Sequence, residues 1–433
     1  MEKVKAFKVA GLPLPWFLIT ACVLLVAIYM GVLPQNMVGA FLIMILVGEL
    51  LNLVGNHLPI VKTFFGGGPI VVIFGGAALV YFHVLNEEMA AVVNNFMKDP
   101  GGFLDFYIAA LITGSILGMN RELLIKAAIR YLPVILAGVA CALLLVAGGA
   151  MLFGMTPGEG IAYIGIPIMG GGMGAGAVPI SKVFAKAMNI EAEQILSRLV
   201  PAVALGNAMA IVAGGVLKKI GELRPSWTGH GQMLRKGTFE VRDYSKEEMP
   251  VTGYMGGIVL ATGFMTFGTI LSKLISNLTG GALNLHFYAY MIITVAIVKA
   301  LGIVPEKLER YASGWYEFVA KNWTAALMLG IGISYTDLGQ IITAFTPQYI
   351  VLCFLVVLGA ILGTALFGYV VGFYPIESAI TAGLCMANMG GTGDVAVLTA
   401  ADRMELMPFA QISSRIGGAF IILLATILVP IFF

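Results

Sequence analysis

Charge is the first thing this sequence lacks. Only 11% of its 433 residues are Asp, Glu, Lys or Arg, where a soluble domain carries about a quarter. The net charge is +2, and no basic repeat or RNA-binding motif occurs, so a nucleic-acid partner is not expected. Cysteine is sparse as well: Cys22, Cys141, Cys353 and Cys385 lie singly inside apolar runs. Without paired spacing they read as small buried hydrophobes, which excludes a disulfide framework or a zinc site. The four histidines, His57, His83, His230 and His286, are scattered and match no metal-ligand spacing.

Hydrocarbon fills the chain instead. Hydrophobic residues make up 59%, in repeated apolar runs of about 20 residues, the length that crosses a bilayer. The fold class expected is an all-α polytopic membrane protein. Candidate spans lie at roughly 15–34, 37–55, 68–85, 103–119, 131–153, 193–217, 251–277, 284–304, 323–343, 347–372 and 406–432. The N-terminal MEKVKAFKVAGLPLPW puts basic residues ahead of an apolar run but has no small-residue cleavage site. Residues 16–33 are therefore read as a retained first helix.

Two further segments, about 158–185 and 375–400, are apolar but crowded with glycine. They read as re-entrant hairpins, because broken backbone is tolerated at membrane depth only where protein or a cavity covers it. With a cytoplasmic N-terminus, Lys3, Lys5, Lys8, Lys62, Arg121, Lys126, Arg130, the cations of 217–250, and Lys307, Arg310 and Lys321 all fall inside, while the acidic LNEEM loop falls outside. The chain then divides into a first half, 1–216, a solvated cytoplasmic linker, 217–250, and a second half, 251–433. The amphipathic stretch 305–323 is expected to lie along the cytoplasmic surface.

The halves repeat one another. Gly171-Gly172-Met173-Gly174 answers Gly390-Gly391-Thr392-Gly393 at an offset of 219. Downstream, the Gln194–Arg198 stretch answers Gln411–Arg415 at an offset of 217. On the span count the two hairpins enter from opposite sides, the inverted-repeat pattern of secondary transporters. Glycine at their tips lets backbone N–H and C=O groups approach a carboxylate or Na⁺ closely.

GGGMGAGAVP (170–179), FYPIESAITAGLCMANMGGTGD (373–394) and AQISSRIGG (410–418) resemble the 2-hydroxycarboxylate transporter family. The likeness runs through nearly the whole chain, including PIVKTFFGGGPI, ALITGSILGMNRELLIKA and GISYTDLGQII. It implies eleven spans plus two re-entrant hairpins, a homodimer in the bacterial inner membrane, and a transport domain that moves as an elevator against a dimerisation scaffold. No enzyme activity and no cofactor are implied, only Na⁺ as coupling ion. The family's sodium–citrate symporters carry GGGNG in the first hairpin, ANRGGSGD in the second and SSR downstream. There the asparagine, the hairpin arginine, the serine and the downstream arginine hold citrate. Gly174, Gly391, Thr392 and Arg415 match that pattern, whereas Met173 replaces the asparagine and Met389 the hairpin arginine. Losing one guanidinium removes the bidentate partner of one carboxylate. A desolvated carboxylate left unpaired costs several kcal/mol, so the expected substrate is smaller than citrate, most simply malate.

Asn388, Asp394 and Ser414 offer the hard oxygens Na⁺ requires, beside carbonyls near Cys385 and Met386, and the resemblance places a sodium site there. Asp394 has a second reading as the cap of the hairpin helix. Arg415, within the last span, is a site candidate by position, against a structural pair with Asp394. Arg198, its repeat counterpart, has three readings: a second substrate cation, a snorkelling side chain, or a partner of Glu193. Glu49 and Asp337 are expected to pair structurally in the scaffold, and Asp105 and Glu377 to be solvated near the interfaces. The sequence thus reads as a Na⁺-coupled symporter of a 2-hydroxy dicarboxylate. Two other readings stay open, an H⁺-coupled or exchange-type malate, citrate or lactate carrier, and the membrane subunit of a sodium-pumping decarboxylase.

Overall fold

The structure, a computed structural model, describes residues 8–59, 68–98, 101–118, 121–235, 249–279, 287–336, 338–339, 342 and 345–433. Among these, helix dominates; a two-residue antiparallel pair, Lys8–Val9 with Leu12–Pro13, precedes the first helix. Among the described residues six helices are long and apolar enough to cross a membrane: Met37–His57, Arg130–Leu152, Ala192–Leu223, Val251–Leu278, Pro347–Val370 and Ser413–Phe432. Shorter apolar helices cover Leu14–Tyr29, Val71–Tyr81, Phe103–Leu117, Tyr290–Leu301 and Thr324–Tyr335. A chain with this many apolar helices is a polytopic membrane protein.

The chain divides into two compact units, Met1–Tyr107 with Phe318–Ile342, and Ile108–Glu317 with Thr343–Phe433. In the first unit, Thr324–Tyr335 is buried at every position from Ala325 to Tyr335. Small residues permit that depth. A Cβ on Gly48 would stand 2.7 Å from the Ala325 carbonyl oxygen, and one on Gly76 would stand 3.0 Å from that of Leu329. Phe41, Phe96, Phe103 and Trp323 form an aromatic cluster with ring centroids 4.8 to 6.0 Å apart. The expected acidic loop LNEEM, residues 85–89, runs into a helix, Glu87–Met97. Asn86 caps it by accepting from the Met89 N–H at 2.8 Å, Glu87 and Glu88 occupy the first turn, and Met89, Val92, Val93, Phe96 and Met97 face inward. Glu49 accepts a hydrogen bond from Asn52 at 3.2 Å. Asp337 lies outside the described residues.

In the second unit, Val251–Leu278 buries only Gly253, Gly257, Ala261 and Gly268. This small-residue face brings Gly257 against the Tyr311 carbonyl and Trp315 of the helix Glu306–Asn322. Where that amphipathic helix begins, Lys299 is buried and donates to Glu309 and to the Leu117 carbonyl, both at 2.7 Å. Pro347–Val370 lies on Arg121–Leu152, with Gly359 set against the backbone of Ala142.

Glu377 corrects the sequence reading. It is fully buried rather than solvated, and its Oε1 accepts from Thr228 Oγ1 at 2.7 Å, from Arg403 Nε at 3.3 Å and from the Gly231 N–H at 3.4 Å. Arg403, itself buried, also donates to Thr228 Oγ1 at 3.0 Å. Glu377 opens one arm of the second hairpin, Arg403 follows the other, and Thr228 belongs to the segment read as linker. That segment folds back further: the Tyr374 N–H donates to the Met233 carbonyl at 3.0 Å, and the Arg235 N–H to that of Gly372 at 3.0 Å. The carboxylate is buried because its counter-charge comes from 26 residues downstream, which local sequence does not reveal. Glu377→Ala should lower stability by about 3–5 kcal/mol by stranding the Arg403 guanidinium. Glu377→Ala with Arg403→Leu should recover much of that loss, checked by thermal unfolding of detergent-purified protein.

Candidate functional site

The first of the two segments read as hairpins is built of broken helix in both arms, the second in its first arm only. The first arm of hairpin one runs Pro157–Gly160, Ile161–Gly165 and Ile166–Met169, and its second arm runs Met173–Ala177 and Val178–Met188. Hairpin two has Pro375–Ser378 and Ala379–Leu384, then Gly391–Ala401. Both first arms contain a π-helical stretch, a feature often found at functional sites. At the tips the repeat seen in sequence reappears in the backbone. Gly171 and Gly390, equivalent at the 219 offset, both turn left-handed, with φ +74° and +77°.

The tips touch. A Cβ on Gly172 would stand 2.6 Å from the Met389 carbonyl oxygen, and one on Gly390 would stand 2.9 Å from that of Gly171. Gly171 abuts the Ser414 carbonyl, and Gly418 would meet the Gly170 carbonyl at 2.8 Å. Thus Gly170–Gly172, Met389–Gly390 and the π-helical turn Ser413–Gly417 share one region. Met173 is buried, while Gly174 and Met389 are half-buried. Gly391 opens the second arm of hairpin two; the Thr392 side chain lies outside what the structure describes.

Below this contact sits a buried carboxylate. Asp394 Oδ1 accepts from Asn388 Nδ2 at 3.0 Å, and Oδ2 accepts from Ser414 Oγ at 2.8 Å. The Asn388 Oδ1 takes the Gly390 N–H at 2.7 Å, and the Asp394 N–H donates to the Gly390 carbonyl at 2.8 Å. Asp394, Asn388, Ser414, Cys385 and Met386 are all buried. The partners of Asp394 are neutral: among the described residues no cation stands within ion-pair distance of it. Both of its oxygens are met by neutral donors, the Asn388 amide N–H and the Ser414 hydroxyl, so the buried charge is solvated by dipoles without being cancelled.

Arg415 is half-buried in the π-helical turn after Ser414. Its Nη2 donates to the Tyr316 hydroxyl at 3.4 Å, and its guanidinium lies 5.1 Å from the Tyr316 ring centroid. Among the described residues no carboxylate pairs with it, Asp394 included, so most of its donors remain for a ligand. Arg198 is not brought to the tips. It is exposed, its guanidinium over the Tyr163 ring at 5.4 Å.

Three residues the sequence reading passed over support the site. Asn207, on Ala192–Leu223, accepts the Met389 N–H at 3.0 Å. Tyr316 flanks Arg415, and buried Tyr131 hydrogen-bonds Ser413 Oγ at 2.8 Å. Asn207 could have been noticed, since an isolated amide in an apolar span marks function or pairing.

Among the described residues, then, two glycine tips meet beside a buried carboxylate and a guanidinium that no carboxylate pairs. The comparisons with known proteins name the carrier class. The chain belongs to the 2-hydroxycarboxylate transporter family, whose model matches residues 9–427. It is 36% identical to the citrate/sodium symporter of Salmonella typhimurium, over 97% of this chain and 94% of that one. It is 37% identical to the malate transporter MleP of Lactococcus lactis, over the full length of both. The citrate transporter CitP of Leuconostoc mesenteroides is 36% identical over 99% of this chain and 95% of its own. The chain is therefore a transporter and not an enzyme.

Gly172→Ala, at φ +119° with the Met389 carbonyl in the way, should force the tips apart. The strain alone is about 1–3 kcal/mol, and uptake should fall more than about tenfold while membrane insertion persists. Gly148→Ala, where an added Cβ meets nothing within 4 Å, should leave uptake unchanged. Both are read by transport in vesicles against immunoblotted protein.

Proposed function

We propose that this protein is a Na⁺-coupled symporter of a 2-hydroxy dicarboxylate, with malate its preferred substrate. The carrying observation is the pairing of a cation-free buried Asp394 with an anion-free Arg415 on either side of Ser414. One charge lacks its positive partner and the other its negative one, so Na⁺ and a carboxylate together neutralise the site. Arg415, Thr392, Gly391 and Gly174 hold the carboxylates, with Met173 and Met389 closing the place a third carboxylate would take. Asn388, Asp394, Ser414 and the Cys385 and Met386 carbonyls hold Na⁺. Arg198 is left out of this set because its guanidinium stands over Tyr163.

Sodium arrives first in this reading. It fixes Asp394, Asn388 and Ser414, and Ser414 borders both the tip contact and Arg415, so cation binding raises anion affinity through shared residues. Once Asp394 holds Na⁺ and Arg415 holds one carboxylate, neither protein charge has to cross the bilayer unpaired, as each would in the empty site. The fold is then eleven spans with two re-entrant hairpins and a cytoplasmic N-terminus in a bacterial inner membrane, working as a homodimeric elevator. The six long and five shorter apolar helices and the division into two compact units support that reading. Relatives named for citrate and for malate are equally similar, so the preference for malate rests on Met173 and Met389.

Purified protein in liposomes, supplied with labelled malate, citrate and lactate under separate Na⁺ and H⁺ gradients, tests the proposal. Malate uptake driven by Na⁺ and outrunning citrate is the expected result. Citrate carried as efficiently as malate, or uptake driven by H⁺ alone, would sink it. Arg415→Ala should lower uptake by about 100-fold or more with the protein still folded. Met389→Arg, which restores a guanidinium at the tip, should shift preference toward citrate.

A further inference from the structure

Asn207 is fully buried on Ala192–Leu223, and half of its amide has a clear task. Its Oδ1 accepts the Met389 N–H at 3.0 Å. That bond fixes the orientation of the group, because an amide turned the other way would set a donor against a donor. Nδ2 therefore faces away from Met389, and among the described residues it has no hydrogen-bond partner. A buried amide donor left unmade is costly, and native structures retain one where something else completes it.

The surroundings indicate what that is. Gly206, the preceding residue, lies between the hairpins: a Cβ there would stand 2.8 Å from Ile168 of hairpin one and 3.4 Å from the Ala387 carbonyl of hairpin two. A Cβ on Gly393, in the first turn of the second arm, would stand 2.8 Å from both Asn207 Oδ1 and the Asn388 side chain. Asn207 thus occupies the place where its helix meets both hairpins beside the tip of the second. An N–H donor repels a cation and attracts an oxygen acceptor. We propose that Asn207 is a further substrate-binding residue whose Nδ2–H₂ donates to an oxygen of the carried anion, either a carboxylate or the 2-hydroxyl. This rests on the reading of the tips as a carboxylate site. Because the donor is satisfied only when the anion is present, it also discriminates: a polar group that only the right ligand completes rejects ligands lacking that oxygen.

Two variants separate binding from anchoring. Asn207→Asp keeps an oxygen for the Met389 N–H but loses both donors; Asn207→Leu adds no charge and loses both functions. Reconstituted uptake gives KM for malate and for its deoxy analogue succinate, and thermal unfolding in Na⁺ without anion reports the fold. Both folded variants should raise the malate KM about tenfold or more. If the preference for malate over succinate collapses, the 2-hydroxyl is the acceptor; if both KM values rise together, a carboxylate is. A wild-type malate KM in either folded variant overturns the proposal and leaves Asn207 as an anchor of Met389. Failure of the unmutated protein to transport any organic anion would instead remove the site reading beneath it.

Discussion

The site depends on one steric fact: two stretches of backbone come within van der Waals reach with no side chain between them. Gly171–Gly172 and Met389–Gly390 approach so closely that a single added carbon on either side would strike a carbonyl. In hydrocarbon such irregular backbone has no water to satisfy it, so it must be covered by protein or by ligand. Each tip covers the other. The same closeness gathers the tip carbonyls, the side-chain amides of Asn207 and Asn388, one carboxylate and one guanidinium around a shared turn, and no larger residue at these glycines would permit it.

Charge is distributed around that contact in an unusual way. A buried acid and a nearby base would ordinarily pair, yet Asp394 is held by Asn388 and Ser414, and Arg415 leans on Tyr316. Ser414 and Arg415 are consecutive, so the separation results from side-chain direction rather than distance along the chain. The π-helical turn Ser413–Gly417 widens the helix there and lets the two side chains serve different neighbours. An intimate ion pair would have left nothing for a substrate to do. Held apart, the two charges each call for a counter-ion from outside, and that is the logic of coupled transport in the proposed cycle.

Much of this is legible in the sequence. The glycine repeat at an offset of 219 named both tips, and Gly171 and Gly390 adopt the same left-handed turn. Asn388, Asp394 and Ser414 are grouped in the sequence by their hard oxygens together with the family resemblance, and they are hydrogen-bonded to one another. What failed to show was long-range pairing. Glu377 looked solvated because its partners, Thr228 and Arg403, lie 149 and 26 residues away. Glu87–Met97 looked like a loop because two acids head it, although Asn86 and the inward spacing of Met89, Val92, Val93 and Phe96 mark a capped helix. Arg198 looked equivalent to Arg415 through the repeat, but the repeat fixes the backbone more strictly than side-chain surroundings. Position 163 offers Arg198 a tyrosine ring, and the tip does not receive it.

The two ends of hairpin two are secured by opposite means, and this bears on how it works. At its base, Glu377, Arg403 and Thr228 tie both arms to the segment joining the halves by charge and hydrogen bonds in a dry setting. Such a network resists separation because any partial opening strands a buried charge. At its tip, among the described residues, there is no ion pair: backbone lies against backbone, Asn207 and Asn388 take the Met389 and Gly390 N–H groups, and Asn388 and Ser414 bond the Asp394 carboxylate. The backbone contacts among these are short-ranged and neutral, so in the proposed cycle a bound ion or anion alters them with little electrostatic penalty. In the proposed cycle, a base held by buried charge and a tip held mainly by backbone contact would confine ligand-driven change to the tip.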